Sequence, residues 1–145
     1  MDNQRLRTAG LKVTLPRVKV LGVLEQSREA SDPEHLTAEE VYRQLIETGA
    51  EIGLATVYRV LSQFETAGLV KRHHFESGQA VFELNDGKHH DHIVCMQCGK
   101  VEEFTDPVIE ERQQRIASSR EFDLDKHSLV LYGNCLGCDH TKREQ

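Results

Sequence analysis

The sequence of 145 residues contains no tryptophan, and aromatic residues make up only 6% of it, so its hydrophobic core must be mainly aliphatic. No stretch approaches the roughly 20 consecutive apolar residues of a membrane-spanning helix. Residues 1–5 lack the apolar core of a secretory signal. With 38% hydrophobic and 29% charged residues, disorder is not expected. We expect a folded cytoplasmic protein of one domain or two small ones.

The net charge of −6 is confined to the second part of the chain. Residues 1–75 contain ten basic and ten acidic side chains, whereas residues 76–145 contain eight basic and fourteen acidic ones. Five basic side chains and one acidic side chain occur in the first twenty residues, a surplus that suits phosphate binding. We therefore expect an anionic partner at the N-terminus and cations in the acidic part.

All four cysteines lie in the acidic part as two C-x-x-C pairs, Cys95 with Cys98 and Cys135 with Cys138. Reducing conditions disfavour disulfides, and thiolates are strong ligands for zinc. Four thiolates leave no open coordination position, so the pattern indicates a structural zinc site. Buried thiols or a redox pair are the alternatives.

The first half of the chain is predicted to form helices followed by a β-hairpin. Thr14 and Pro16 begin one helix, a capping box at residues 37–40 begins a second that ends at Gly49, and a third spans about residues 54–67. The predicted hairpin pairs residues 69–75 with residues 80–84. Together these elements predict a winged helix. A small helical packing domain is the alternative.

The outward face of the third helix carries hydrogen-bonding side chains and one arginine, as in helices that contact base edges in DNA. These side chains are Thr56, Tyr58, Arg59, Ser62 and Gln63.

A histidine-rich segment, residues 89–92, precedes a predicted strand. Successive side chains of a strand point to opposite faces. His89 and Asp91 therefore share one face, and His90 and His92 share the other. The segment predicts two metal sites, with ligands suited to Fe(II), Mn(II), Co(II) or Zn(II). A solvated polar loop with chance histidines is the alternative.

The remaining pattern predicts a small α/β unit with strands at 100–104 and 127–133 and a helix from Asp106 to about Ser119. Its predicted core consists of six apolar side chains: Val101, Phe104, Ile109, Ile116, Leu129 and Leu131. A sheet this small exposes an edge that a second copy of the chain would cover. We therefore expect a homodimer.

Over nearly its whole length the sequence resembles the ferric uptake regulator family of bacterial metal-dependent repressors. The motifs that carry the resemblance are AGLKVTLPR at 9–17, ATVYR at 55–59, VFEL at 81–84, HHDH at 89–92, both C-x-x-C pairs and HSLVLYG at 127–133. The resemblance implies an α+β protein. Its N-terminal winged-helix DNA-binding domain would comprise residues 1–84, and its C-terminal α/β dimerisation domain residues 85–145, with a hinge at about 84–90.

The resemblance also implies three metal sites and a DNA-binding face. The structural zinc ligands would be Cys95, Cys98, Cys135 and Cys138. The regulatory site at the hinge would use His35, Glu83, His90, His92 and Glu103. The second site, inside the dimerisation domain, would use His89, Asp91, Glu110 and His127. DNA contacts would come from Tyr58 and Arg59 in the major groove, from Lys12 near the minor groove, and from Arg17 and Thr56 at the DNA backbone.

These implications predict an Fe(II)-dependent repressor of iron-uptake genes, with no enzymatic activity, that binds a palindromic double-stranded operator as a homodimer or higher oligomer. Zn(II) is the expected structural cofactor and Fe(II) the regulatory one, with Mn(II), Co(II) or Zn(II) as substitutes. One regulatory ion bound by both halves would select the domain orientation in which two recognition helices enter successive major grooves.

The alternatives within the family are zinc sensing and peroxide sensing. The peroxide-sensing branch has aspartate at the positions of Glu83 and Glu103, and the zinc-sensing branch usually recruits a cysteine, so the residues here favour iron. Metal affinity order alone would favour zinc over iron. A zinc hydrolase is the alternative from another class, but the sequence lacks HExxH, and no proline precedes either C-x-x-C pair as in a deaminase. A third alternative is an adaptor that zinc stabilises and that binds only other proteins. It would leave Tyr58, Arg59 and the basic N-terminus unexplained.

Overall fold

The computed structural model describes residues 3–29, 35–76 and 78–137, and these residues form two compact units, one within residues 1–87 and the other within residues 88–145. Within these ranges, every helix is too short or too polar to cross a lipid bilayer. The described elements of the first unit are α1 (Gln4–Thr8), α2 (Leu15–Glu29), α3 (Ala38–Glu47), α4 (Leu54–Thr66), β1 (Val70–His74) and β2 (Ala80–Leu84).

Helix α3 begins with the predicted capping box. The Thr37 side-chain oxygen accepts a hydrogen bond from the Glu40 backbone N–H at 3.1 Å, and the Glu40 carboxylate accepts one from the Thr37 N–H at 3.4 Å. These two bonds satisfy backbone donors that a helix start otherwise leaves unpaired. The helix ends at Glu47, and Gly49 then adopts a positive φ of 83° that costs glycine little. The sequence prediction for this helix is confirmed.

Helix α4 packs one apolar stripe into the core of the first unit. Val57, Val60, Leu61 and Phe64 are buried, and the helix contacts α2 and α3. Their spacing of three and four residues places them on one face. Burial of each such side chain contributes about 1.5–3 kcal/mol to folding. The opposite face, which includes Tyr58 and Arg59, is therefore exposed.

The hairpin of β1 and β2 is antiparallel and packs beside these helices. Val70 is opposite Leu84, and His74 is opposite Ala80. An additional bridge joins Leu36 to Phe82, with N···O distances of 3.2 and 2.8 Å in the two directions. This bridge holds the segment before α3 against β2. It therefore brings residue 35 beside residue 83.

The second unit contains a three-stranded sheet and one helix. Its described elements are β3 (Asp91–Cys95), β4 (Val101–Phe104), α5 (Pro107–Ser119) and β5 (Val130–Gly133). The strand order is β4-β3-β5, with β3 antiparallel to β4 and parallel to β5. The Asp106 carboxylate caps α5 by accepting the Val108 N–H at 2.8 Å. The chain is thus an α+β protein, with an N-terminal winged helix and a small C-terminal α/β unit.

Two details of the C-terminal unit differ from the sequence predictions. The final strand begins at Val130 instead of residue 127, and Ile116 and Leu131 are not core residues, because their exposed fractions are 58% and 44%. Ala117 is the buried position of α5, so its neighbour Ile116 points about 100° away around the helix. Leu131 lies on β5, an edge strand of the described sheet. Apolar spacing alone could not distinguish a core face from a face left open in a single chain.

Candidate metal centres and DNA-binding face

Three of the four cysteines converge in the second unit. Cys95 ends β3, Cys98 lies in the following turn, and Cys135 follows β5. Their sulfur atoms all lie within 4.8 Å of one another, and the sulfur atoms of Cys98 and Cys135 are 3.6 Å apart. Cys138, the fourth predicted ligand, lies outside the described residues. The geometry therefore brings together three thiols that could bind one ion.

Backbone N–H groups prepare Cys95 for metal binding. Its sulfur accepts hydrogen bonds from the N–H groups of Cys135 at 3.3 Å and Cys98 at 3.4 Å. These two bonds are the main reason that the pKa of Cys95 is lowered to about 5. The thiolate is the form that ligates zinc, and it is favoured here at neutral pH. Backbone donors around the sulfur are the usual outer shell of such a site.

A carboxylate and two imidazoles form a cluster in the first unit. Glu83 on β2 lies between two histidines: its Oε2 atom is 2.9 Å from His35 Nε2, and its Oε1 atom is 2.7 Å from His73 Nε2. The side chains of His35 and Glu83 are only 2% and 11% exposed. Nitrogen and oxygen ligands of this kind suit Fe(II), Mn(II), Co(II) and Zn(II).

His73 was not predicted as a site residue. Lys71 is directly opposite Glu83 in the hairpin, and His73 is opposite Val81, so His73 and Glu83 are diagonal neighbours on one face. Diagonal cross-strand pairs are within reach of long side chains. The register of the hairpin was the only signal that could have predicted this contact.

The other residues predicted for the regulatory site lie in the second unit. His90 Nε2 is 3.6 Å from Glu103 Oε2. His92 is buried and is directly opposite Glu103 in the pairing of β3 with β4. Glu103 is thus close to His90 and directly opposite His92. Of the five residues predicted for this site, His35 and Glu83 belong to the first unit, and His90, His92 and Glu103 belong to the second.

The second predicted site is assembled around a buried carboxylate. Asp91 is fully buried, and its Oδ1 atom is 2.9 Å from His89 Nε2 and 3.8 Å from His127 Nε2. The rings of His89 and His127 are 4.1 Å apart. Among the described residues, Asp91 Oδ2 and His127 Nε2 have no hydrogen-bond partner. A buried carboxylate is costly unless it is paired or binds a cation, so this cluster suits a metal ion.

Glu110, the fourth residue predicted for this site, is in the first turn of α5 and is not among the three residues brought together. Gln113, one turn later, carries a buried Oε1 atom without a hydrogen-bond partner in the described part of the chain. It lines a cavity of about 500 Å³ together with His127. No sequence signal distinguishes Gln113, since a glutamine on a helix is usually solvated.

Alternate residues of the histidine-rich segment thus make different contacts. His89 and Asp91 are associated with His127, whereas His90 is associated with Glu103. Only Asp91 and His92 lie within β3, so the two-residue period of a strand applies to that pair, whereas His89 and His90 precede the strand.

The predicted DNA-binding side chains surround the outward face of α4. Lys12, Tyr58 and Arg59 are exposed, and Arg17 and Thr56 are half-buried. The Tyr58 hydroxyl donates a hydrogen bond of 2.5 Å to Glu39 on α3. This bond lowers the pKa of Glu39 and raises that of Tyr58. Glu39 was not predicted as a site residue, because its contact with Tyr58 depends on how α3 packs against α4, and the sequence pattern of one helix does not show this.

Comparison with known proteins agrees with these features. The model of the Ferric uptake regulator family matches residues 8–132. The chain is 58% identical over 137 residues to the Ferric uptake regulation protein of Legionella pneumophila, a match that covers 94% of this chain and 98% of that protein.

Two solved structures are also similar. The ferric uptake regulator of Vibrio cholerae is 58% identical with a TM-score of 0.81, and the match covers 92% of this chain and 98% of that one. The Francisella tularensis regulator, solved with iron, is 41% identical with a TM-score of 0.82, with coverage of 89% and 95%. The chain belongs to the ferric uptake regulator family.

Proposed function

We propose that this protein is an Fe(II)-dependent DNA-binding repressor that controls iron-uptake genes. The observation that carries the proposal is the buried His35–Glu83–His73 cluster, because it lies in the unit that presents α4. Its ligands are of the type that binds Fe(II) reversibly. The solved relative from Francisella tularensis, which contains iron, supports the same metal.

The cysteine cluster supports a separate structural zinc. Three thiols are already gathered, and we propose that Cys138 supplies the fourth ligand. Four thiolates would hold zinc tightly and leave no position for water. The role of this ion is to join the turn after β3 to the segment after β5. It would therefore stabilise the C-terminal domain and play no part in sensing.

Regulation requires that iron favour the DNA-binding arrangement of the two domains. We propose that one ion takes ligands from His35 and Glu83 in the N-terminal domain and from His90, His92 and Glu103 in the C-terminal domain. An ion changes a conformational equilibrium only by binding one state more tightly than the other. Ligands contributed by both domains supply that difference, and Mn(II), Co(II) or Zn(II) would substitute for Fe(II).

The cluster around Asp91 is proposed as the second metal site, with His89, Asp91, Glu110 and His127 as ligands. All four residues belong to the C-terminal domain. An ion there would neutralise the buried carboxylate and stabilise that domain without linking it to the other. We therefore assign this site to dimer stability and not to the switch.

The DNA complex is proposed to be a homodimer, or a higher oligomer, on a palindromic double-stranded operator. The family of regulators to which the chain belongs binds DNA as dimers. The exposed apolar side chains of Ile116 and Leu131 in the C-terminal domain support a subunit interface there. Because bacterial DNA is cytoplasmic, the proposed location is the cytoplasm.

Base and backbone contacts are proposed from the face of α4 and the segment before α2. Tyr58 and Arg59 would enter the major groove, which is wide enough for an α-helix. Lys12 would contact the minor groove, and Arg17 and Thr56 would lie at the phosphate backbone. The exposure of Lys12, Tyr58 and Arg59 supports these roles.

Selection from a random-sequence duplex DNA library tests the proposed function. The zinc-containing protein is treated with a mild chelator and then supplied with no metal, with Mn(II), or with Fe(II) under anaerobic conditions. We expect enrichment of a palindromic sequence, and binding to it that strengthens when either metal is added. Equal binding with and without metal would contradict the sensing role. Failure to enrich any sequence with either metal would contradict the repressor function itself.

A further inference from the structure

Arg17 makes three hydrogen bonds that join two parts of the predicted DNA-binding face. Its Nε and Nη2 atoms donate to Gln63 Oε1 on α4, at 3.2 and 3.1 Å. Its Nη1 atom donates to the backbone carbonyl of Lys12 at 2.9 Å. The guanidinium is half-buried, and Gln63 is 46 residues away in the sequence. One side chain therefore connects the segment before α2 to the helix that carries Tyr58 and Arg59.

We propose that Arg17 is a positioning residue for DNA recognition, which fixes Lys12 and Gln63 relative to each other, and that Gln63 is a specificity-determining residue. The proposal rests on the proposed function, because it assumes that this face binds DNA. It goes beyond the DNA-backbone contact proposed above, since three of the five N–H groups of the guanidinium have acceptors within the protein.

The contact with Arg17 determines what Gln63 can present to DNA. A guanidinium only donates hydrogen bonds, so the amide of Gln63 must turn its oxygen toward Arg17. Two N–H donors share that oxygen. The remaining polar group of Gln63 is its NH₂, which only donates. Gln63 lies one helical turn after Arg59, and it would therefore select a base-edge acceptor in the major groove, such as purine N7.

The contact with Lys12 fixes the other part of the face. Residues 11–14 form no regular structure, but the Leu11 N–H donates to the Leu6 carbonyl at 2.9 Å, and Arg17 holds the Lys12 carbonyl. Hydrogen bonds thus hold the backbone of this segment at Leu11 and at Lys12. A cation on a fixed backbone loses less conformational entropy when it binds DNA than one on a free loop. Arg17 therefore gives Lys12 a defined position relative to α4.

Arginine and lysine differ in the property that matters here. Both carry a positive charge, but only the planar fork of arginine can donate to Gln63 and Lys12 together. Arg17→Lys therefore removes the connection and retains the charge, whereas Arg17→Ala removes both. Gln63→Ala removes both the side-chain acceptor for Arg17 and the NH₂ donor proposed to face DNA. Arg115→Lys on α5, whose arginine pairs with Glu111 on the same exposed helix face, is the matched control.

The test uses the full-length zinc-containing protein with Mn(II), a sequence enriched from a random duplex library by the parent protein, and a scrambled duplex. We expect Arg17→Lys and Gln63→Ala each to reduce the preference for the enriched sequence roughly five- to tenfold, the loss of about one net hydrogen bond. The salt dependence of binding by Arg17→Lys should equal that of the parent. The double variant should be no worse than Gln63→Ala alone, because that change already removes the connection that Arg17→Lys breaks.

Amide hydrogen exchange of residues 11–14 in the absence of DNA gives a second measurement. It should accelerate in Arg17→Lys and stay unchanged in Arg115→Lys. The proposal would be overturned if Arg17→Lys kept the parent's preference, or if Arg17→Ala only lowered the salt slope by about one, as expected for a lost phosphate contact. A parent protein that enriches no sequence would instead overturn the proposed function, so the two failures are distinguishable.

Discussion

Replacing Glu83 by glutamine should separate folding from metal sensing. Glutamine has nearly the same shape, and its amide oxygen can still accept one hydrogen bond from a histidine. It cannot present a carboxylate oxygen to both histidines as Glu83 does, whose Oε1 is hydrogen-bonded to His73 at 2.7 Å and whose Oε2 lies 2.9 Å from His35 Nε2. One contact between a histidine and a largely buried carboxylate is therefore lost. A bond to a charged group contributes about 1.5–3 kcal/mol, and the partial exposure of His73 favours the lower end of that range.

The effect of Glu83→Gln on metal response should be larger than its effect on folding. The amide is neutral and a poor ligand for a divalent ion, so the site loses its anionic ligand from the N-terminal domain. Coupling between an effector and a ligand is typically about 1–3 kcal/mol, which corresponds to roughly 5–150-fold in DNA affinity. For Glu83→Gln, we expect the increase in DNA affinity on adding metal to fall to nearly onefold.

Two assays on the same preparations measure these effects. Urea denaturation of the zinc-containing, Mn(II)-free protein gives the free energy of unfolding, and fluorescence anisotropy with operator DNA gives affinity across a Mn(II) titration. Glu51→Gln, an exposed glutamate in the same domain, is the matched control and should behave as the parent. A Glu83→Gln protein that folds and responds to Mn(II) at the parent's concentrations would refute the assignment of Glu83 as a regulatory ligand.

Three further predictions follow from the other clusters. Cys95→Ser should reduce bound zinc below one ion per chain and lower the melting temperature, because it removes the thiolate that two backbone N–H groups stabilise; zinc retention with an unchanged melting curve would contradict a structural site. His127→Ala should weaken the dimer in sedimentation measurements while Mn(II)-dependent DNA binding persists, and the reverse pattern would exchange the two site roles. Glu39→Ala should alter base preference in a DNA selection, since Tyr58 loses the acceptor of its hydroxyl proton; the same change in a Tyr58→Phe background should have no further effect on base preference.

Sequence reasoning predicted the elements whose signals are local. The capping box of Thr37 and Glu40 and the buried stripe of α4 depend on spacings of three and four residues, which are visible in the sequence. The opposite faces of Asp91 and His92 follow from the two-residue period of β3 in the same way. These features involve one element each, so no knowledge of packing was needed.

Features that join separate elements could not be predicted in this way. The contact of His73 with Glu83 depends on hairpin register, and that of Tyr58 with Glu39 depends on how two helices pack. Ile116 was misjudged for a related reason: an apolar residue looks the same in sequence whether it faces its own core or a second subunit. The cost of leaving it exposed would be relieved only in an assembly.

The contrast between the thiol cluster and the histidine clusters suggests how one chain can hold one metal permanently and sense another. The backbone donors around Cys95 already favour its thiolate, so little free energy is needed to deprotonate it before zinc binds. Glu83 instead is hydrogen-bonded to His73, and its other oxygen lies 2.9 Å from His35 Nε2. An incoming ion must replace these contacts, which weakens its net affinity. Weaker affinity places the midpoint of occupancy at a higher free-metal concentration, which is what a reversible sensor requires.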